Sequence, residues 1–229
     1  MKWKEGMSST AMNFVPYSAG ADDPLALLPR TPIREYARGE VIYRPEDRAE
    51  TLFLVIDGRV KISRVASQDL EVILEFCHKD DFFGETGFLT EGRYGEQATA
   101  MEKTTVMSWP VAELKRMAGR TPALGPALVR VAVEKLEQAR TRLESFCLDP
   151  IQRRLAKTLL DLAKRGGQTG GDQLIHIMPT THEQLAHYVG TSREIVTQHL
   201  NQFRRENLVR YSRQGIDIDM AAMERYLAA

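Results

Sequence analysis

An arginine, a carboxylate, a hydroxyl and a primary amide stand at Arg193, Glu194, Thr197 and Gln198. On a helix, positions spaced this way share one face. The set suits the edges of base pairs: a guanidinium fork matches the O6/N7 pair of guanine, a carboxylate accepts from the cytosine amino group, and a primary amide pairs twice with adenine. Arg193 and Glu194 together favour a G·C-containing half-site. The other side of the same segment carries Ile195, Val196, Leu200 and Phe203, which must be buried. A competing reading makes Glu194 the reciprocal partner in a Thr191 capping box and Arg193 a solvated surface charge.

Presenting those four side chains requires a scaffold, and the preceding residues supply one. Thr180 or Thr181 caps a first helix, with Glu183 and Gln184 three positions on to return the hydrogen bond. Leu185 and Val189 share a face, Ala186 is small where a second helix must cross, and Gly190 permits the sharp turn. Thr191 or Ser192 caps the second helix. The layout is that of a DNA-reading helix-turn-helix. Thr181, His182, Thr191 and Ser192 lie at its helix starts and are candidates for phosphate contacts that fix register without reading sequence. Leu208–Tyr211, Ser212–Gly215 and Ile216–Ile218 read as strand, turn and strand, giving a wing.

Composition sets wider bounds. The chain has 229 residues, 31 basic and 31 acidic side chains and 43% hydrophobic residues, which predicts a soluble protein of two domains. Residues 151–229 hold 11 Lys and Arg against 8 Asp and Glu, so the positive excess lies with the helix-turn-helix. So small an excess predicts that phosphate affinity rests on a dimer. No apolar run approaches the roughly 20 residues that span a bilayer, and no secretory signal opens the chain, so a cytoplasmic protein without membrane contact is expected.

Cys77 and Cys147 form no metal or iron–sulfur motif, and Cys77-His78 makes no haem site. Reduced, semi-buried thiols are expected, with redox sensing as the alternative. His78, His176, His182, His187 and His199 have no metal-ligand spacing, and no nucleophile motif such as G-x-S-x-G appears, so no enzyme is expected.

Residues 1–22 lack periodicity and read as a mobile leader, in which Met7 is an alternative start to Met1. Short strands then follow at Glu40–Tyr43, Thr51–Ile56, Arg59–Ser63, Glu71–Phe76, Gln97–Met101 and Thr105–Trp109, with Asp57-Gly58 as a hairpin turn. They predict an antiparallel sandwich or jelly roll over residues 23–120.

A helix over Val111–Ala118 precedes a longer one over 121–149, opened by Thr121-Pro122. In it Val129, Ala132, Leu136, Ala139, Leu143 and Phe146 recur at spacings of 3 and 4, a narrow seam suited to a partner helix. Leu128 and Val133 widen the stripe, which leaves packing against the chain's own β-domain as the alternative. Asp149-Pro150 ends the helix, with Pro150 as a hinge to residues 150–229. The fold class is α+β: an N-terminal antiparallel β-roll, a dimerisation helix and a C-terminal winged helix-turn-helix.

Four segments in this order, beginning at Ala49, Asp81, Arg154 and Val189, carry a resemblance over about residues 30–220. They read AETLFLVIDGRV, DFFGETGFL, RLAKTLLDLA and VGTSREIV. The chain resembles the cyclic-AMP receptor protein (CRP/FNR) family of bacterial transcription regulators. The resemblance implies a homodimer on double-stranded DNA with pseudo-palindromic sites, and contact with RNA polymerase. At the recognition helix, Arg193 and Glu194 match base-reading positions and Gln198 stands where cyclic-AMP receptors carry a second arginine, implying an altered preference at one base pair.

For the effector, the resemblance implies a site built on Gly84, Glu85 and Thr86, with Glu85 toward a ribose hydroxyl. The Arg-Ser or Arg-Thr pair that holds a cyclic phosphate falls here at Tyr94-Gly95 or Gly95-Glu96, so the clamp is missing in its usual register. Arg93 substitutes for it if the loop shifts, whereas Glu96 repels phosphate. The adenine-contacting hydroxyl residues fall at Ala139 and Arg140. The effector is therefore expected to be a ligand other than cyclic AMP, or absent. Salt-dependent DNA affinity separates this reading from a ligand-binding signalling module whose helix-turn-helix mediates protein contacts.

Overall fold

A computed structural model describes residues 24–65, 71–89, 92–169, 174–212 and 214–228; the expected leader lies outside them. After a short helix, α1 (Pro24–Leu27), two four-stranded sheets face each other. One orders β1 (Ile33–Tyr36), β8 (Thr104–Pro110), β3 (Thr51–Asp57) and β6 (Phe82–Phe83). The other orders β2 (Val41–Tyr43), β7 (Gln97–Ala100), β4 (Val60–Val65) and β5 (Glu71–Cys77). All pairings are antiparallel. The sequence reading missed β1 and β6, one exposed over three of its four residues and the other only two residues long, so neither shows a period.

Strand alternation builds two cores from one strand. Val55 and Phe53 of β3 face the interior of the roll, while Leu52 and Leu54 face Trp109, Leu114 and Leu124 outside it. The interior is filled with rings: Tyr43 stacks on Tyr94 at 3.8 Å and Phe53 on Phe83 at 5.0 Å. The Asp57-Gly58 turn forms as expected, with Gly58 at φ +84° and no room for a Cβ beside the Lys103 carbonyl.

Helix α2 (Val111–Ala118) leads to α3 (Leu124–Leu148). The long helix starts three residues later than Thr121-Pro122 suggested, and no side chain caps it. The Thr121 amide still closes on the Met117 carbonyl, so residues 119–123 belong to the exit from α2. Pro126 then sits in the first turn of α3, where a missing N–H costs nothing. The inner side of α3 buries Leu124 and Ala127, with Leu128 and Val131 packed on the outer core of the roll. Val129, Val133, Leu136 and Leu143 are exposed, so Val133 does not serve the chain's own core.

Helix α4 (Ile151–Gly166) begins after Asp149-Pro150. Asp149 accepts hydrogen bonds from Ser145 Oγ and Lys157 Nζ and pairs with Arg153, so the expected hinge is pinned from both sides. Beyond it lie β9 (Gln168–Thr169), β10 (Ile175–Ile177), α5 (His182–Val189), α6 (Arg193–Arg205), β11 (Val209–Ser212), β12 (Gly215–Ile218) and α7 (Met220–Ala228). The wing hairpin β11–β12 extends through β10 to β9, two strands absent from the sequence reading.

One hydrophobic core contains Leu155, Leu159, Leu185, Val196, Leu200 and Phe203 together with Ile73 and Phe76 of β5. The helix-turn-helix unit is thus packed onto the roll, not tethered to it.

Candidate nucleic-acid interface and effector pocket

Local capping explains how α5 and α6 are placed. Thr181, not Thr180, caps α5: its Oγ1 accepts from the Gln184 amide at 3.1 Å, and Gln184 Oε1 accepts from the Thr181 amide at 3.0 Å. Gly190 closes α5 at φ +74°. A Cβ there would lie 2.5 Å from Cε1 of Phe146, so glycine is required by both conformation and space. Ser192 caps α6 by accepting from the Ile195 amide at 3.4 Å, which removes the Thr191–Glu194 capping-box reading.

Arg193, Glu194 and Gln198 are all exposed on one side of α6. The α6 N-terminus and Ser192 hold the Glu194 carboxyl below its ordinary range, so it is ionised and an acceptor. Thr197 differs from its neighbours. Its hydroxyl donates to the Arg193 carbonyl at 2.8 Å and lies 2.8 Å from His182 Nδ1, so it holds α5 against α6. His182 also meets the wing residue Tyr211 edge to face at 5.5 Å. Partial burial, with Arg193 nearby, lowers its pKa and favours the neutral ring.

Of the candidate phosphate contacts, Thr181 and Ser192 are exposed and Thr191 turns its hydroxyl inward, buried without a hydrogen-bond partner. Arg204 covers the Tyr211 ring at 5.3 Å, a basic group by the wing that the sequence reading passed over.

In the β-roll, Gly84 adopts φ +82° and its Cα packs where a Cβ would strike the Thr51 carbonyl and the Phe53 ring. This turn starts the 3-10 segment Glu85–Phe88. Thr86 Oγ1 donates to Glu96 Oε1 at 3.1 Å, and Arg64 Nη2 donates to Glu96 Oε2 at 3.2 Å. Glu96 is buried, in the register where the resemblance places a phosphate clamp. Glu85 lies 3.3 Å from Lys135 Nζ of α3, which also donates to Glu75 at 2.7 Å. Burial works against its charge, yet Glu75 and Glu85 hold the Lys135 ammonium above its ordinary range.

Three expected effector residues lie elsewhere. Tyr94 turns into the roll, where its hydroxyl donates to the Thr51 carbonyl and burial pushes it up to about 12. Arg93, the preceding residue, therefore points outward; it is exposed, donates to the Glu46 carbonyl and lines an outer cleft with Arg48, Gly87 and Lys115. It does not join Glu85 and Glu96. Ala139 and Arg140 sit on the exposed side of α3, with Arg140 paired to Glu137.

Sequence reasoning missed Arg64, Lys135 and Arg142. A signal existed: Leu128, Lys135 and Arg142 recur every seven residues on the side of α3 away from the seam. On the seam side Val129, Ala132, Leu136, Ala139 and Leu143 are exposed. Phe146 instead turns toward Gly190, between the Arg142 and Arg154 guanidiniums at 5.4 and 4.9 Å. Of the cysteines, Cys77 is buried, which raises its thiol pKa, and Cys147 is exposed, so the expected semi-buried pair is one of each extreme.

Comparison with known proteins finds two family models on separate stretches of the chain. A cyclic nucleotide-binding domain model matches residues 33–121 and a Crp-like helix-turn-helix domain model matches residues 153–226. The chain is 28% identical over 182 residues to a CRP-like cAMP-activated global transcriptional regulator of Mycobacterium tuberculosis, covering 80% of this chain and 81% of that protein. It is 24% identical over 188 residues to a global nitrogen regulator of Synechococcus elongatus, covering 81% and 85% respectively. FixK2 from Bradyrhizobium japonicum has the same fold, with a TM-score of 0.76 and 21% identity over 88% of this chain and 99% of that one. With a cyclic nucleotide-binding roll, a long connecting helix and a Crp-like helix-turn-helix in this order, the chain belongs to the CRP/FNR family of transcription regulators.

Proposed function

We propose that the protein acts as a homodimer on pseudo-palindromic promoter DNA and that it does so without cyclic AMP. Arg193, Glu194 and Gln198 read base edges in the major groove, and Thr181, His182 and Ser192 approach the phosphates. The α3 seam supplies the self-contact: Val129, Leu136 and Leu143 are 62, 48 and 64% exposed, a cost that a partner helix removes. Two such subunits place their recognition helices about one turn of DNA apart. RNA polymerase is the further partner.

The observation that carries the effector reading is the carboxylate of Glu96, held by Arg64 and Thr86 where a cyclic phosphate would otherwise be gripped. Binding a phosphate there means breaking two hydrogen bonds and placing two anions side by side. At the other end Lys135 already satisfies Glu85.

Fluorescence anisotropy on a labelled symmetric duplex with G·C-containing half-sites, with and without cyclic AMP, tests both parts. Tight, salt-sensitive binding that ignores the nucleotide is the expected result. A large gain on adding cyclic AMP overturns the effector reading, and failure to select any two-fold symmetric site from random duplexes overturns the DNA reading.

A further inference from the structure

Both ends of α5 are held by arginines from the other half of the chain. Arg59, at the β3–β4 hairpin, is 8% exposed. Its guanidinium grips Glu102 with two bonds, Nε to Oε1 at 3.1 Å and Nη2 to Oε2 at 3.2 Å. The remaining donors reach the segment that leads from β10 into α5: Nη2 to the Pro179 carbonyl at 3.1 Å, and Nη1 to Thr180 Oγ1 at 3.3 Å and the Met178 carbonyl at 3.5 Å. The next residue is Thr181, the cap of the helix.

At the far end, Arg142 of α3 donates to the Tyr188 carbonyl at 2.6 Å and the Ile73 carbonyl at 2.8 Å, and also to the Leu74 carbonyl. Its guanidinium lies 3.9 Å from the centre of the Tyr188 ring, a cation–π contact. Between the two arginines, His187 Nδ1 stands 3.5 Å from Glu71, and Phe76 meets Tyr188 at 4.9 Å between centroids.

We infer that Arg59 and Arg142 are positioning residues for DNA-site specificity, fixing the angle of α5 and so the distance between the two recognition helices of a dimer. A guanidinium spends its several donors in a rigid fork, so each arginine defines an orientation and not merely a contact. Helices α5 and α6 share a core and move as one body, so whatever orients α5 aims α6. In the clamped arrangement Arg193, Glu194 and Gln198 remain exposed, so the clamp presents the reading face to solvent. The inference rests on the DNA-binding reading above and adds what sets the permitted half-site spacing.

The test uses the full-length protein and three symmetric duplexes: one with the preferred half-site spacing, and two longer and shorter by about two base pairs. Wild type discriminates among them. Arg59→Met and Arg142→Met are expected to shrink that discrimination about tenfold, within the usual range of couplings between distant sites, by losing affinity for the preferred spacing more than for the others. A variant that is merely less stable loses affinity on all three duplexes alike, and an unchanged ratio overturns the inference. If either arginine variant fails to fold by circular dichroism, Glu102→Gln, which loosens the grip on Arg59 from a more exposed position, carries the same expectation.

Wild type that binds no symmetric duplex removes the preceding reading, and the spacing role with it. Wild type that binds while the variants keep its spacing preference removes only the role of the arginines. Amide hydrogen exchange over 182–189 must also rise in the variants; unaltered protection means that the arginines do not hold α5.

Discussion

The Arg64 guanidinium lies 3.2 Å from the buried carboxylate of Glu96, in the register where the resemblance to cyclic-nucleotide receptors places a phosphate clamp. Because Thr86 donates to the same carboxylate, two donors that an anionic effector would need are already committed. Isothermal titration should give no saturable heat with cyclic AMP for wild type. Glu96→Gln removes the anion while keeping the shape, frees Arg64 for phosphate and should produce saturable binding. If wild type binds and Glu96→Gln does not, the carboxylate is part of a ligand site and not an obstacle to one.

Gly190→Ala should destabilise the protein by about 2 kcal/mol, through the left-handed backbone and the contact with Phe146. Urea denaturation of Gly190→Ala, Phe146→Ala and the double variant separates the two causes. The double variant should lose less than the sum of the single losses, by about 1 kcal/mol, because removing the ring removes the clash. Strict additivity would mean that the ring does not press on the turn.

Acid sensitivity should trace to His78. Burial, with Arg165 and then Arg59 nearby, pushes its imidazole from 6.5 down to about 3. Between those values the unfolded chain holds a proton that the folded chain lacks, so stability falls as pH drops below about 6.5, by up to about 1.4 kcal/mol per pH unit. Above that pH both states are neutral and the contribution vanishes. His78→Gln should reduce the slope of the stability profile between pH 6.5 and 5, leaving the contribution of His182, whose pKa is also lowered by burial; an unchanged slope there would assign the sensitivity to another group.

On DNA, Arg193→Ala should weaken binding by about 1–3 kcal/mol and relax the base preference at one position of each half-site. Gln198→Arg should shift preference at its own position from A·T toward G·C, since an arginine fork fits the guanine edge and an amide fits adenine. Selection from randomised half-sites reads both changes. A variant that alters affinity equally across all sequences would place that residue on the backbone.

What the sequence revealed divides along physical lines. The helix-turn-helix was legible because capping, apolar spacing and the glycine turn are local, and Thr181, Gly190 and Ser192 act within a few residues of themselves. The strands of the roll were legible to within one or two residues at most ends for the same reason. Glu96 was visible only as a misplaced charge; its burial and its partners Arg64 and Thr86 depend on strands brought together across the roll.

Arg93 was offered as a substitute clamp because sequence proximity to the loop is readable, whereas the alternation that sends Tyr94 inward and Arg93 outward becomes clear only once the roll closes. Thr197 had the right chemistry and spacing for base reading, and its commitment to His182 of α5 is a tertiary fact. Docking of the segment before α5 on the β3–β4 hairpin left no sequence signature, since Arg59 and Thr180 are 121 residues apart.

Asp149 gives the junction of α3 and α4 a mechanical character. With Ser145 on one side and Arg153 and Lys157 on the other, the chain passes Pro150 as a braced elbow. An elbow tied on both sides resists bending more than a free proline linker would, so the angle between α3 and α4 is set by side-chain contacts as well as by Pro150. A single carboxylate thus ties the last turn of α3 to the first turns of α4.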